Sequence, residues 1–74
     1  MTINEFMKEI APKMRAGWVA MNKQGLWWYF PDEPLLNMGS LCWNKTGAKF
    51  PSLLNGFAIA PVDDWMQSLR KVGK

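Results

Sequence analysis

The spacing of apolar positions changes twice along this chain, dividing it into a helical start, an extended middle and a helical end. Ile3, Phe6, Met7, Ile10, Ala11 and Met14 recur at spacings of three and four, which sets them on one helical face. Thr2-Ile3-Asn4-Glu5 has the capping-box form, in which the Thr2 hydroxyl accepts from the Glu5 amide and the Glu5 carboxylate from the Thr2 amide. A helix is expected to start there. Glu9 and Lys13 add an i,i+4 pair off the apolar stripe. Pro12 lacks an amide proton and clashes with the preceding turn, so the helix either kinks there or ends near Ile10, with Pro12 opening a further turn that Gly17 stops.

From Trp18 the period is that of a strand. Trp18–Met21, the turn Asn22-Lys23-Gln24-Gly25 and Leu26–Phe30 read as a hairpin, with Gly25 supplying the positive φ that closes it. Pro31-Asp32-Glu33-Pro34 ends the second strand, because two prolines do not sit in a paired ladder. Leu35–Ser40 reads as an irregular crossing and Leu41-Cys42-Trp43 as a third strand. The turn Asn44-Lys45-Thr46-Gly47 repeats the Asn-Lys-x-Gly pattern of the first, as recurrent hairpin chemistry. Ala48-Lys49-Phe50 leads out of it, Pro51–Gly56 forms a loop, and Phe57-Ala58-Ile59 is expected to make a final strand. Pro61-Val62-Asp63-Asp64 then opens a closing helix: Val62, Trp65, Met66, Leu69 and Val72 share a face, Asp63 or Asp64 caps it, and Arg70 and Lys71 complement the negative end of its dipole. The expected fold class is α+β, a helix, an antiparallel meander of three to four short strands and a C-terminal helix, in one small domain over residues 1–74.

Size makes that domain marginal. A chain of 74 residues buries only about 60% of the surface its unfolded form exposes, and its unfolding free energy scales to roughly 4–11 kcal/mol. Disulfides, a metal or oligomerisation usually support such a domain. Cys42 is the one cysteine and there is no histidine, so an intrachain disulfide and a zinc ligand set are both absent. Neither glycine-rich phosphate motif occurs, and no cofactor or metal is expected. Five tryptophans supply apolar area instead. The first ten residues lack the basic and apolar regions of a secretory signal. The longest apolar run, Leu26–Phe30, falls far short of the roughly 20 residues of a membrane helix. A cytoplasmic protein without membrane attachment is expected.

Catalysis has little to work with. The commonest general acid–base, histidine, is missing. The carboxylate pairs Asp32/Glu33 and Asp63/Asp64 have structural explanations, as a turn between prolines and a helix start. Cys42 lacks a histidine to make its thiolate and reads as a small buried hydrophobe. A protein without enzymatic activity is expected.

The aromatic block is the unusual feature. Alternation sends Leu26, Trp28 and Phe30 to one face of the hairpin and Trp27 and Tyr29 to the other, while Trp18 and Ala20 oppose Val19 and Met21. Both faces are apolar, so the sheet is either covered on both sides or presents an apolar patch. Because tryptophan is rarely fully buried and is enriched in interfaces, Trp27 and Tyr29, with Trp43 as a third candidate, are expected to reach a surface where a second protein or a second copy packs. The rival reading is a single-stranded nucleic-acid-binding protein, with turn lysines Lys23 and Lys45, and Lys49 beside them, meeting phosphates while exposed aromatics stack bases. A second basic zone comprises Lys13, Arg15, Arg70, Lys71 and Lys74. A net charge of +3 is modest, and no nucleic-acid motif is visible, so this reading ranks second.

Gly17-Trp18-Val19-Ala20-Met21, the turn after it, Trp28-Tyr29-Phe30, Pro34, Trp43 and Asp64-Trp65-x-x-Ser68-Leu69 together resemble a group of short proteins encoded by phages and prophages of gut bacteria. The likeness runs from about Gly17 to Leu69 and rests on tryptophan placement, so it carries over no site residue. It implies a setting: a small accessory protein of a mobile element that binds a host or phage protein, inhibition of a host defence being one such job.

Overall fold

The computed structural model describes residues 1–73. Helix α1, Ile3–Glu9, starts at the capping box, with Glu5 N–H donating to Thr2 Oγ1 at 3.1 Å and Thr2 N–H to Glu5 Oε1 at 2.9 Å. It gives way to a 3₁₀ turn, Ala11–Lys13, with Pro12 in its first positions. The helix therefore ends and a new turn opens, as a residue without an amide proton requires.

Those two bonds also set a pH dependence. The Thr2 backbone N–H, and then its hydroxyl, hold the Glu5 carboxyl below its ordinary value of 4.5. A lowered folded-state pKa gives stability that is present above 4.5 and is lost as pH falls through the folded value. Thermal melts of wild type and Glu5→Gln should differ at neutral pH and converge in acid; a gap independent of pH would show that the cap charge is idle.

Strands β1 (Gly17–Met21) and β2 (Trp27–Phe30) form the expected hairpin, with Trp18 opposite Phe30 and Met21 opposite Trp27. In its turn Gly25 takes φ +90°, its N–H donates to Asn22 O, and Asn22 Oδ1 accepts from Leu26 N–H. A second antiparallel pair joins β3 (Leu35–Asn37) to β4 (Cys42–Asn44), so the stretch expected to cross irregularly contains a strand. The two-residue β5 (Ser52–Leu53) pairs with β2 inside the expected loop, and β6 (Arg70–Val72) pairs with β1. The main sheet runs β5-β2-β1-β6 and the minor one β3-β4.

Three expectations fail for non-local reasons. The closing helix is replaced by a 3₁₀ turn, Trp65–Gln67, and β6. Asp64 does cap that turn, accepting from Met66 N–H at 3.0 Å. Val19 and Ala20 are fully buried in β1, so leaving the second edge of that strand open would strand buried amides and carbonyls, and a short isolated helix offers less. Phe57–Ile59 is not a strand either: Ala58 has φ +50°, and the segment bonds to the chain start through Ala60 N–H to Met1 O and the Met1 ammonium to Ala58 O. The second Asn-Lys-x-Gly turn joins no hairpin. There the Thr46 hydroxyl donates to Glu33 O, and Gly47 lies so close to the Asp32 carboxylate that a Cβ would collide with it.

One sheet face is covered by the helix and the other is partly covered. Val19, Met21 and Trp27 meet Ile3 and Phe6 of α1, with Ala11, Ile59 and Val72, in one core cluster. On the opposite face Ala20 and Phe30 are buried, and Cys42 and Trp43 of β4 line with Trp28, Phe30 and Pro51 a shallow cleft of ≈ 250 Å³. The fold is α+β with antiparallel sheets, and no helix among the described residues is long and apolar enough to cross a membrane.

Candidate interaction surface

The residues expected to meet a partner separate into three groups. Trp27 does not reach the surface: it is 3% exposed, and its indole N–H donates to Ala60 O at 3.2 Å. The alternation placed it on the correct face, but α1 and Ile59 cover that face. Truncating it would open the core, so it cannot report on binding. Tyr29 is half-buried on the same side, and its hydroxyl donates toward Ala16 O at 3.0 Å and Arg15 O at 3.3 Å. A Cβ at Gly17 would sit 2.6 Å from that hydroxyl oxygen, so Tyr29 closes the entry into β1. Trp43 is half-buried, and its indole N–H donates to Trp65 O at 3.3 Å, fastening β4 to the turn before β6.

Lys23 and Lys45 are exposed. Lys45 is occupied locally, its ammonium donating to Gly47 O at 2.8 Å and lying 4.8 Å from the centre of the Phe50 ring. Phe50 itself is 76% exposed. In the second basic zone, Lys71 stands over Trp18 at 5.9 Å and Arg70 donates to Gln67 O and Leu69 O.

What periodicity did not mark is the β3–β4 hairpin. Leu35 (64%), Met38 (56%), Leu41 (40%) and Leu36 (37%) are all exposed within seven positions. Single exposed apolar residues are ordinary; three leucines and a methionine on one small hairpin, with Leu35 and Leu36 facing opposite ways along β3, leave apolar surface on both its faces, of the kind that marks contact surfaces. Leu41 adds a backbone observation. It has φ +54°, the left-handed region that costs a residue with a Cβ roughly 1–2 kcal/mol. Neither burial nor backbone geometry favours leucine there. Leu41→Gly is expected to leave the fold intact and to raise stability by about 1 kcal/mol in denaturant melts. A loss of stability would mean that the side chain packs within the monomer.

The titratable groups are scattered. Asp32, Glu33, Asp63 and Asp64 are exposed, and the half-buried Cys42 thiol donates to Asn44 Oδ1 and lies 3.1 Å from Ser40 Oγ. No group of three or more Cys, Asp or Glu side chains with metal-binding geometry occurs among the described residues. No protein-family model matches the chain, and no curated protein or solved structure matches it.

Proposed function

We propose that this protein is a non-enzymatic interaction module that meets another protein chain through the β3–β4 hairpin. The observation that carries the reading is the exposure of Leu35, Leu36, Met38 and Leu41 on one hairpin whose loop holds a leucine in a left-handed conformation. Strain kept at a position the fold does not need is a reason to look for a function there. Scattered carboxylates and a thiol bonded to neutral neighbours support the non-enzymatic part. The resemblance of the tryptophan placement to short phage and prophage proteins favours an accessory role on a mobile element, acting on a host or phage protein.

The test is contact mapping with a photo-crosslinking residue at Met38 and, as a control, at Lys8 on the solvent side of α1. Crosslinks to protein from Met38 and none from Lys8 are expected, and Leu35→Lys should abolish them without lowering the melting temperature. Equal crosslinking from both positions would sink the reading. A single-stranded nucleic-acid binder stays as the second reading, favoured by the exposed Phe50 ring with the Lys45 ammonium over it. Titration of labelled single-stranded DNA and RNA at low salt decides that: binding must weaken at least several-fold in Phe50→Ala for it to stand.

A further inference from the structure

The unpaired strand edges of this protein are not protected alike. β6 carries Arg70 and Lys71, and β5 is two residues long. Charges and shortness are the usual guards against edge-to-edge pairing. β3, three residues long, carries no charge along its course. Residues 35–44 contain no charged side chain at all, the nearest being Glu33 before Pro34 and Lys45 after Asn44. The backbone groups of Leu35, Leu36 and Asn37 make no hydrogen bond outside the β3–β4 ladder. Neither strand of the minor sheet pairs with the main sheet, and β3 is the more exposed of the two, with Leu35 and Leu36 exposed where Cys42 and Trp43 on β4 are half-buried. A two-stranded sheet is marginal in water and gains from a third or fourth strand.

Resting on the interaction reading above, we infer that the chain this hairpin meets is a second copy of itself, joined by antiparallel pairing of β3 with β3 about a two-fold axis through Leu36. A two-fold pairing places Leu36 opposite its own copy and Leu35 opposite Asn37 of the other. The edge tolerates its own copy in those terms: Leu36 meets Leu36, Leu35 meets the neutral Asn37, no like charges oppose, and a +3 chain approaches its copy along a segment that carries no charge. Leu41 and Met38 flank the new four-stranded sheet at the loop end. A standard interface takes about 800 Å² from each partner, about a sixth of the 4834 Å² this protein exposes. A three-residue strand and four apolar side chains supply less. The dimer is therefore weak and concentration-dependent.

Sedimentation velocity of the full chain from about 1 µM to about 1 mM, spanning the affinities such an interface reaches, tests this together with cysteine crosslinking. A monomer–dimer shift is expected within that range. Leu35→Lys should abolish it, and Leu35→Lys with Asn37→Asp should restore it, because the register sets the two new charges opposite each other across the axis. In a Cys42→Ser background, Leu36→Cys should give a covalent dimer under mild oxidation, since directly opposed residues on antiparallel strands lie within disulfide reach. Lys71→Cys on β6 should not. A monomer at every concentration overturns the inference, as does a dimer indifferent to Leu35→Lys or one that crosslinks through β6. If the chain stays monomeric while Met38 crosslinks another protein, the second-copy inference fails and the interaction reading stands.

Discussion

Phe6→Ala is expected to bring this protein to the edge of unfolding. Phe6 is completely buried on α1, in the cluster that joins the helix to Val19, Met21 and Trp27 on the sheet, and its ring meets Phe57 edge-on at 5.4 Å. Truncating a buried phenylalanine costs about 3–5 kcal/mol, the lost transfer energy plus a cavity the surroundings fill only in part. Against a total of roughly 4–11 kcal/mol for a chain this size, that is a large share. The melting temperature should fall by on the order of 20 °C. Phe57→Ala removes the partner ring from a site 37% exposed and should cost much less. A loss below about 1 kcal/mol for Phe6→Ala would mean that α1 does not seal this face, and would return Trp27 to the candidates for an exposed surface.

How much of this was legible in the sequence depends on how far apart the deciding atoms lie. The capping box, the Pro12 break and the Asn22–Gly25 turn are settled within four residues, and each formed as read. The apolar spacing of Val62, Trp65, Met66, Leu69 and Val72 suits a helix, but the open edge of β1, some 50 positions away, draws Arg70–Val72 into the sheet. Alternation separated the two faces of β2 correctly, with Trp27 beside Val19 and Met21. That this face is the one under α1 depends on the helix and on Ile59, which alternation within β2 does not reach. The β3–β4 hairpin was hidden for a different reason. Turn chemistry is read from glycine and asparagine, and here the left-handed residue of the loop is Leu41 while the neighbouring Gly39 keeps a negative φ. The candidate site was thus missed where the sequence departs from the local rule, which is where function tends to sit.

Ser68→Ala is expected to cost about 2–3 kcal/mol although it removes one oxygen and leaves almost no cavity. The β1–β6 register pairs Val19 with Arg70, and two steps further along the strands it would pair Met21 with Ser68. There the side chain replaces the main chain: Ser68 Oγ accepts from Met21 N–H at 2.8 Å, and its own proton faces Trp65 O at 2.6 Å and Met21 O at 3.2 Å. Ser68 is 1% exposed, so water cannot substitute. A buried amide left without an acceptor costs about 1–3 kcal/mol, against the 0.5–1.5 kcal/mol that a typical intact hydrogen bond contributes. Denaturant melts should show a lower midpoint at unchanged slope, and hydrogen exchange at the Met21 amide should accelerate more than at Val19, which the ladder still holds. Uniform acceleration would mean that Ser68 only packs. The same residue bears on the hairpin, because Trp65 O also accepts from the Trp43 indole that fastens β4. Withdrawing the hydroxyl frees the turn that carries this carbonyl, so Ser68→Ala should also weaken protection in β4, linking the stability of the main sheet to the seating of the surface proposed to bind.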